Sequence, residues 1–369
     1  MAKKDEIKYY RLNKILVYDA EYYIIIGERS NGKTYAVLEY CLEQYCISGY
    51  QQEFAVIRRW REDFKGKNGA QLFSSHIENG LIKKLTNDEY NTIVYQSSRW
   101  YFAKRDEHGE IVKKKDTPCC YAFALTDKEH DKSIAFPKIK HVLFDEFLTN
   151  QYYLPDEFVT FMNVLSTIIR LKDDVKIFMC GNTVNPYSPY FVEMGLHHIK
   201  NMKKGEIEIY NYGESGLRVA VEFSDFDCKK KKSNKYFAFN NPKLTMITGE
   251  GGTWEINIYP HLPCKYRPKD ILFKYFITFD REIFQCEVIS VNDLYFTYIH
   301  RKTGEFKDNG DLMFDLQTNV KSNYIQNIFK STSPLVKEIL YFFTIQKVFY
   351  QDNEVGESIR NYLVNCRKS

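Results

Sequence analysis

No stretch of this chain approaches the ~20 consecutive apolar residues that a membrane-crossing helix needs, and its first ten residues, MAKKDEIKYY, lack the apolar run of a secretory signal. The expectation is a soluble protein that stays in the cell that makes it. Paired-cysteine chemistry is missing as well. Nine cysteines are scattered over 369 residues, and the one adjacent pair, Cys119 and Cys120, has neither the C-x-x-C spacing of a zinc site nor the density of a secreted disulfide scaffold. They read as reduced thiols. Charge of one sign is not in excess: 52 Lys and Arg against 48 Asp and Glu leave a formal net charge of +4. A uniformly cationic surface is thereby excluded, and any contact with nucleic acid must come from local patches. No repeat of fixed period and no low-complexity tract is present, which removes the solenoid and low-complexity classes.

What is present is a globular balance. Hydrophobic residues make up 44% and charged residues 27%, enough apolar material for two cores at this length. The 29 Tyr and 27 Phe are expected mainly to fill cores and strand surfaces. From Tyr22 to about Gly195, short β-like runs (Tyr22 to Ile26, Glu53 to Trp60, His141 to Phe147, Lys176 to Cys180) alternate with the helical patterns Thr34 to Cys46 and Pro155 to Leu171. This alternation predicts a mainly parallel α/β sheet. A hairpin with EHGE at its tip is expected between Trp100 and Leu125, and YNYGESG predicts a turn between two short strands within His197 to Ser224. Lys229 to Lys232 reads as a solvated linker. Beyond it, Lys274 to Asp280, Phe284 to Val291 and Leu294 to Arg301 predict three consecutive strands, with helices starting near Val320, Pro334 and Asn353.

The chemistry lies in the first half. Gly27-Glu28-Arg29-Ser30-Asn31-Gly32-Lys33-Thr34 matches GxxxxGK[ST] between the strand YYIII and a helix that begins at the lysine. Glycines let the backbone N–H groups wrap phosphate oxygens, the helix N-terminus favours negative charge, Lys33 reaches the outer phosphates, and the Thr34 hydroxyl suits Mg²⁺. ATP and Mg²⁺ are the expected ligands. Arg29 stays open between a phosphate contact and solvent. The apolar run His141 to Phe147 carries Asp145 and Glu146, the first placed to hold Mg²⁺ through water and the second to polarise the attacking water. A third apolar strand ends at Asn182, which suits a sensor of the γ-phosphate or the water; an Asn that only forms a turn is the alternative.

The order LVYDAEYYIIIGERSNGKTYA, VIRRWR, HVLFDEF, LPDEFVTFMNVLSTIIR and GNTVNPY resembles the DNA encapsidation ATPase of the phi-29-like small tailed phages, over roughly residues 15 to 195. The resemblance implies a P-loop NTPase of the ASCE type in a ring, five subunits in that family. Such a ring drives double-stranded DNA into a preformed procapsid, docked on the portal through a structural RNA. It implies a place in the host cytoplasm and, transiently, at the portal vertex, but not in the mature virion. Arg170, at the end of LPDEFVTFMNVLSTIIR, matches the family's trans-acting arginine finger, and Lys132 a second cation offered to the neighbouring site. Arg61 lies where the family places a pore-facing basic residue for DNA; a solvated loop charge is the alternative.

The expected organisation is a P-loop ATPase domain over 1–196, a connector or lid subdomain over 197–226, and a C-terminal α/β domain over 227–369 that resembles the RNase H-like nuclease module of larger terminase motors. Asp280 ends the first strand of that last domain. Asp293, Asp308, Asp311 and Asp315 sit in turn-like surroundings where surface acids are the default, and the phi-29-like resemblance implies packaging of a unit-length genome with no cutting, so a nuclease-like fold without nuclease activity is expected. It would serve for contact with portal, RNA or DNA. Two rival readings are a terminase-type motor with an active nuclease and a non-catalytic nucleic-acid-binding scaffold; intact Lys33, Asp145 and Glu146 argue against the scaffold.

Overall fold

A computed structural model describes residues 9–29, 31–127, 135–149, 153–183, 185–225, 257–307 and 310–368. The chain divides into two compact units whose described parts are 9–225 and 257–368. Lys132, Asp308 and the run Lys229 to Lys232 lie outside the described residues. The described cysteines are all free thiols, and no described helix is long and apolar enough to cross a membrane.

The first unit is a mixed α/β structure with a mainly parallel sheet. In chain order it contains α1 (Asn13–Leu16), β1 (Tyr22–Gly27), α2 (Lys33–Ile47), β2 (Glu53–Arg58), α3 (Lys67–Gln71), α4 (Ser74–Glu78), α5 (Leu81–Leu85) and β3 (Thr92–Gln96). There follow β4 (Arg99–Arg105), β5 (Ile111–Lys114), β6 (Cys120–Ala124), β7 (Ile139–Asp145), α6 (Glu157–Ile169), β8 (Lys176–Asn182), α7 (Pro189–Glu193), β9 (Ile207–Tyr212) and β10 (Leu217–Phe223). The sheet has ten strands in the order β3-β4-β6-β2-β7-β8-β1-β10-β9, with β5 on β4. From β6 to β10 every pairing is parallel. The segment 197–226, expected as a separate connector, supplies β9 and β10, and β10 extends this sheet by pairing with β1.

Strand β1 explains the layering. All six of its residues are buried, as in a strand covered on both faces. Tyr22, Ile24 and Ile26 pack into a core with Phe161, Leu165 and Ile168 of α6, whereas Tyr23 and Ile25 pack into a second core with Val37, Leu38 and Leu42 of α2. Parallel pairing also brings the carboxyl ends of β1, β7, β8 and β2 to one edge: Gly27 lies opposite Asn182, Asp145 opposite Cys180, and Ile57 opposite Phe144. Open α/β sheets bind ligands at that edge.

The second unit holds β11 (Ile271–Phe279), β12 (Glu282–Val291), β13 (Leu294–Arg301), β14 (Leu312–Asp315), β15 (Tyr324–Ile325), α8 (Pro334–Thr344), β16 (Val348–Tyr350) and α9 (Asn353–Lys368). β11 to β13 form an antiparallel meander. Its turns are Asp280-Arg281 (φ 51° and 66°) and Asn292-Asp293 (φ 47° and 61°), the paired positive φ of tight hairpins. Asp280 therefore occupies a turn rather than the strand end. β14 pairs parallel to β11, β15 to β14 and β16 to β13, giving the order β15-β14-β11-β12-β13-β16. The helix expected near Val320 is absent. Lys321 N donates to Asn319 Oδ1 at 3.0 Å, a local turn that competes with helix, and Val320 is fully exposed.

Candidate nucleotide-binding site

The loop between β1 and α2 is held by its own side chains. Gly32 caps α2 at φ 94°, in the left-handed region that favours glycine. Gly27 allows a close approach, since a Cβ there would lie 2.8 Å from Asn31 Nδ2 and 3.0 Å from Ser224 Cβ. Lys33 is buried, and its ammonium donates to Gly27 O (3.0 Å), Glu28 O (2.7 Å), Asn31 Oδ1 (3.1 Å) and Asn182 Oδ1 (3.3 Å). Burial pulls its pKa down to about 8. Asn31 keeps its side chain inside the loop: Oδ1 also accepts from Lys33 N at 3.3 Å, and Nδ2 donates to Ser224 Oγ at 3.3 Å. Behind it Tyr10 N donates to Asn31 O, and the Tyr10 hydroxyl donates to the buried Glu222.

Asp145, at the end of β7, is buried and accepts from both sides. Thr34 Oγ1 donates to its Oδ1 at 2.7 Å, and Arg58 Nη2 donates to its Oδ2 at 2.7 Å. A hydroxyl and a carboxylate at this spacing form an oxygen donor set of the kind Mg²⁺ accepts, so the residues present fit that ion. Glu146 follows, exposed and at φ 58°. Direct hydrogen bonds thus join Lys33 to Gly27, Asn31 and Asn182, and Thr34 to Asp145. Arg29 is exposed. Arg170 is an exposed C-cap of α6 at φ 35°. Arg61 opens a 3₁₀ turn and meets Asp127 at 3.6 Å across a largely solvated surface.

Sequence reasoning overlooked Arg58 and Arg59, which do more at this edge than Arg61. The available signal was two consecutive arginines directly after the apolar run FAVI, where a strand end next to a carboxylate strand would need charge compensation. For Glu157 and Ser224 no such signal existed.

Residues 4–237 match the family model described as Podovirus DNA encapsidation protein (Gp16). The chain belongs to that family. The DNA packaging proteins of Bacillus phages phi29 and PZA are each 24% identical over 232 residues, covering 62% of this chain and 61% of theirs. The chain thus spans about three fifths of the length of these relatives. The DNA packaging protein of Bacillus phage B103 is 25% identical over 256 residues, 61% of this chain and 72% of that one. Among solved structures, the bacteriophage Phi-29 viral genome packaging motor assembly aligns at 18% identity over 98% of this chain and 99% of that chain, with a TM-score of 0.54. The Phi-28 gp11 DNA packaging motor aligns at 17% over 97% and 98%, with a TM-score of 0.51. At these identities the likeness is one of fold.

Proposed function

We propose that this chain is the ATP-hydrolysing subunit of a ring motor that moves double-stranded viral DNA into a preformed procapsid. The observation that carries the reading is the 2.7 Å contact of Thr34 Oγ1 with Asp145 Oδ1, which joins the first turn of α2, directly after the loop that follows β1, to the end of a strand two positions from β1 in the sheet. The interposed strand, β8, brings Asn182 to Lys33, and the order β2-β7-β8-β1-β10 supports the ASCE class of P-loop ATPases. In this reading Lys33 and the loop N–H groups bind and orient the triphosphate. Thr34 and Asp145 hold Mg²⁺, which when bound neutralises charge on the phosphates. Glu146 polarises the attacking water, and Asn182 hydrogen-bonds the water or the γ-phosphate.

Arg170 serves a neighbouring subunit as arginine finger, a contribution commonly worth ~10³ to 10⁵ in rate. The exposed Val159 and Met162 of α6 and the fully exposed Leu171 support an interface beside it. Lys132 as a second trans cation and a pentameric ring rest on the family alone, as do a pore contact for Arg61, a packaging RNA, and docking at the portal in the host cytoplasm. For the second unit, the antiparallel β13-β12-β11 followed by parallel β14 and β15 supports an RNase H-like fold. Opposite Asp315 the central strand presents Thr278, not a second carboxylate, which supports a unit that contacts partners without cutting.

The test is turnover by the full chain with and without duplex DNA. Glu146→Gln is expected to bind ATP with Mg²⁺ yet hydrolyse it at least ~100-fold more slowly, while Lys33→Ala loses the phosphate contacts themselves. Normal hydrolysis by Lys33→Ala would overturn the assignment, and indifference of the wild-type rate to DNA would count against the motor.

A further inference from the structure

Arg59 is one residue past β2, 6% exposed, and surrounded by acceptors. Its guanidinium grips Glu157 of α6 with two bonds, Nε to Oε2 at 2.9 Å and Nη2 to Oε1 at 2.8 Å. Its remaining reach goes to main chain: Nη1 donates to Glu146 O at 3.3 Å and Nη2 to Phe147 O at 2.8 Å. Glu157, 1% exposed, is itself fixed, accepting from the Tyr190 hydroxyl at 2.8 Å and from Leu154 N at 2.7 Å. The Tyr153 ring lies 5.2 Å from the guanidinium.

We infer that Arg59, held by Glu157, is a positioning residue for Glu146: it pins the backbone from which that side chain projects. Glu146 sits at φ 58°, where a residue with a Cβ is strained and persists only when its surroundings over-determine it. Arg59 supplies that determination through the carbonyls of Glu146 and Phe147, and Cys180 O supplies it from the other side by accepting from Phe147 N at 3.3 Å. Stability alone does not account for the arrangement, because a buried ion pair roughly breaks even against apolar residues of similar volume. The fork geometry is essential here. Four directed bonds from one planar group lie beyond the single point charge of a lysine.

The inference rests on the reading of Glu146 as the water-polarising group, and a double-mutant cycle in the full chain separates the two. Arg59→Lys is expected to lower single-turnover ATP hydrolysis by ~10-fold or more while leaving affinity for ATP with Mg²⁺ within about twofold, as misplacement of a catalytic group does. In a Glu146→Gln background the same substitution is expected to cost nothing further, since the group it positions is already disabled. Tyr190→Phe, which removes only the hydroxyl on Glu157, provides a milder second variant and is expected to show the same pattern. Equal losses in both backgrounds, or a fall in affinity matching the fall in turnover, would show Arg59 to be merely structural. If Glu146→Gln alone leaves turnover intact, the reading of Glu146 fails and the positioning role falls with it.

Discussion

A lysine buried among carbonyl oxygens holds its proton less firmly than one facing phosphate. Burial lowers Lys33 from its ordinary 10.5 to about 8. The unfolded chain therefore binds this proton more tightly than the fold does, so the group opposes folding below about pH 8, and that opposition fades as pH rises from about 8 towards 10.5. A bound triphosphate reverses the balance by favouring the ammonium. Nucleotide binding is therefore expected to take up close to one proton at pH ~9 and almost none at pH ~6.5. Calorimetry in buffers of different protonation enthalpy reads this directly; a buffer-independent binding heat at the higher pH would mean that Lys33 stays charged in the free protein. At this same scale the loop from Gly27 to Thr34 was legible because its spacing is covalent. Arg58 and Arg59 were not, because their partners Asp145 and Glu157 stand 87 and 98 residues further along the chain.

Helix α6 begins at the Glu157 that Arg59 grips and ends at Arg170, so one rigid element spans from a subunit's own carboxylate strand to the residue proposed to serve its neighbour. An arginine suits that service because it stays charged and offers several fixed donors. Mixing tests it. Arg170→Ala protein keeps its own Thr34, Asp145 and Glu146, whereas Glu146→Gln protein keeps its arginine. Each alone is expected to be slow, and co-assembled rings are expected to regain part of the ATPase rate at interfaces where the second lends Arg170 to the first. Co-assembly without recovery at any ratio would make Arg170 a cis or structural residue. The helix itself was readable from its apolar periodicity, as were β1, β7 and β8. The short α3, α4 and α5 were not, since five-residue helices carry too few turns to show a period.

For the molecule as a whole, the alternation of strands and helices sufficed for the parallel sheet and for the meander β11 to β13, because buried strands and tight turns are local signals. Strand order was not legible. That β8 and β10 flank β1 depends on the pairings of Tyr22 with Ile177 and with Val219, more than 100 residues away along the chain, about which local propensity says nothing.

Strand β1 serves two cores at once and has a hydrogen-bonded neighbour on each side, whereas β5 is exposed at all four residues and, among the described residues, pairs only with β4. Opening β1 means separating both layers, so its amides can meet solvent only when the entire unit comes apart; β5 can peel away alone. In a deuterium-exchange time course, Ile24 to Ile26 are expected to be the slowest in the unit and Ile111 to Lys114 among the fastest, and protection of β5 equal to that of β1 would contradict this ranking. Since Gly27 completes β1, the mouth of the proposed nucleotide site is anchored in the last part of the unit to open, and a ligand held there should slow exchange across the whole sheet and not only at the loop.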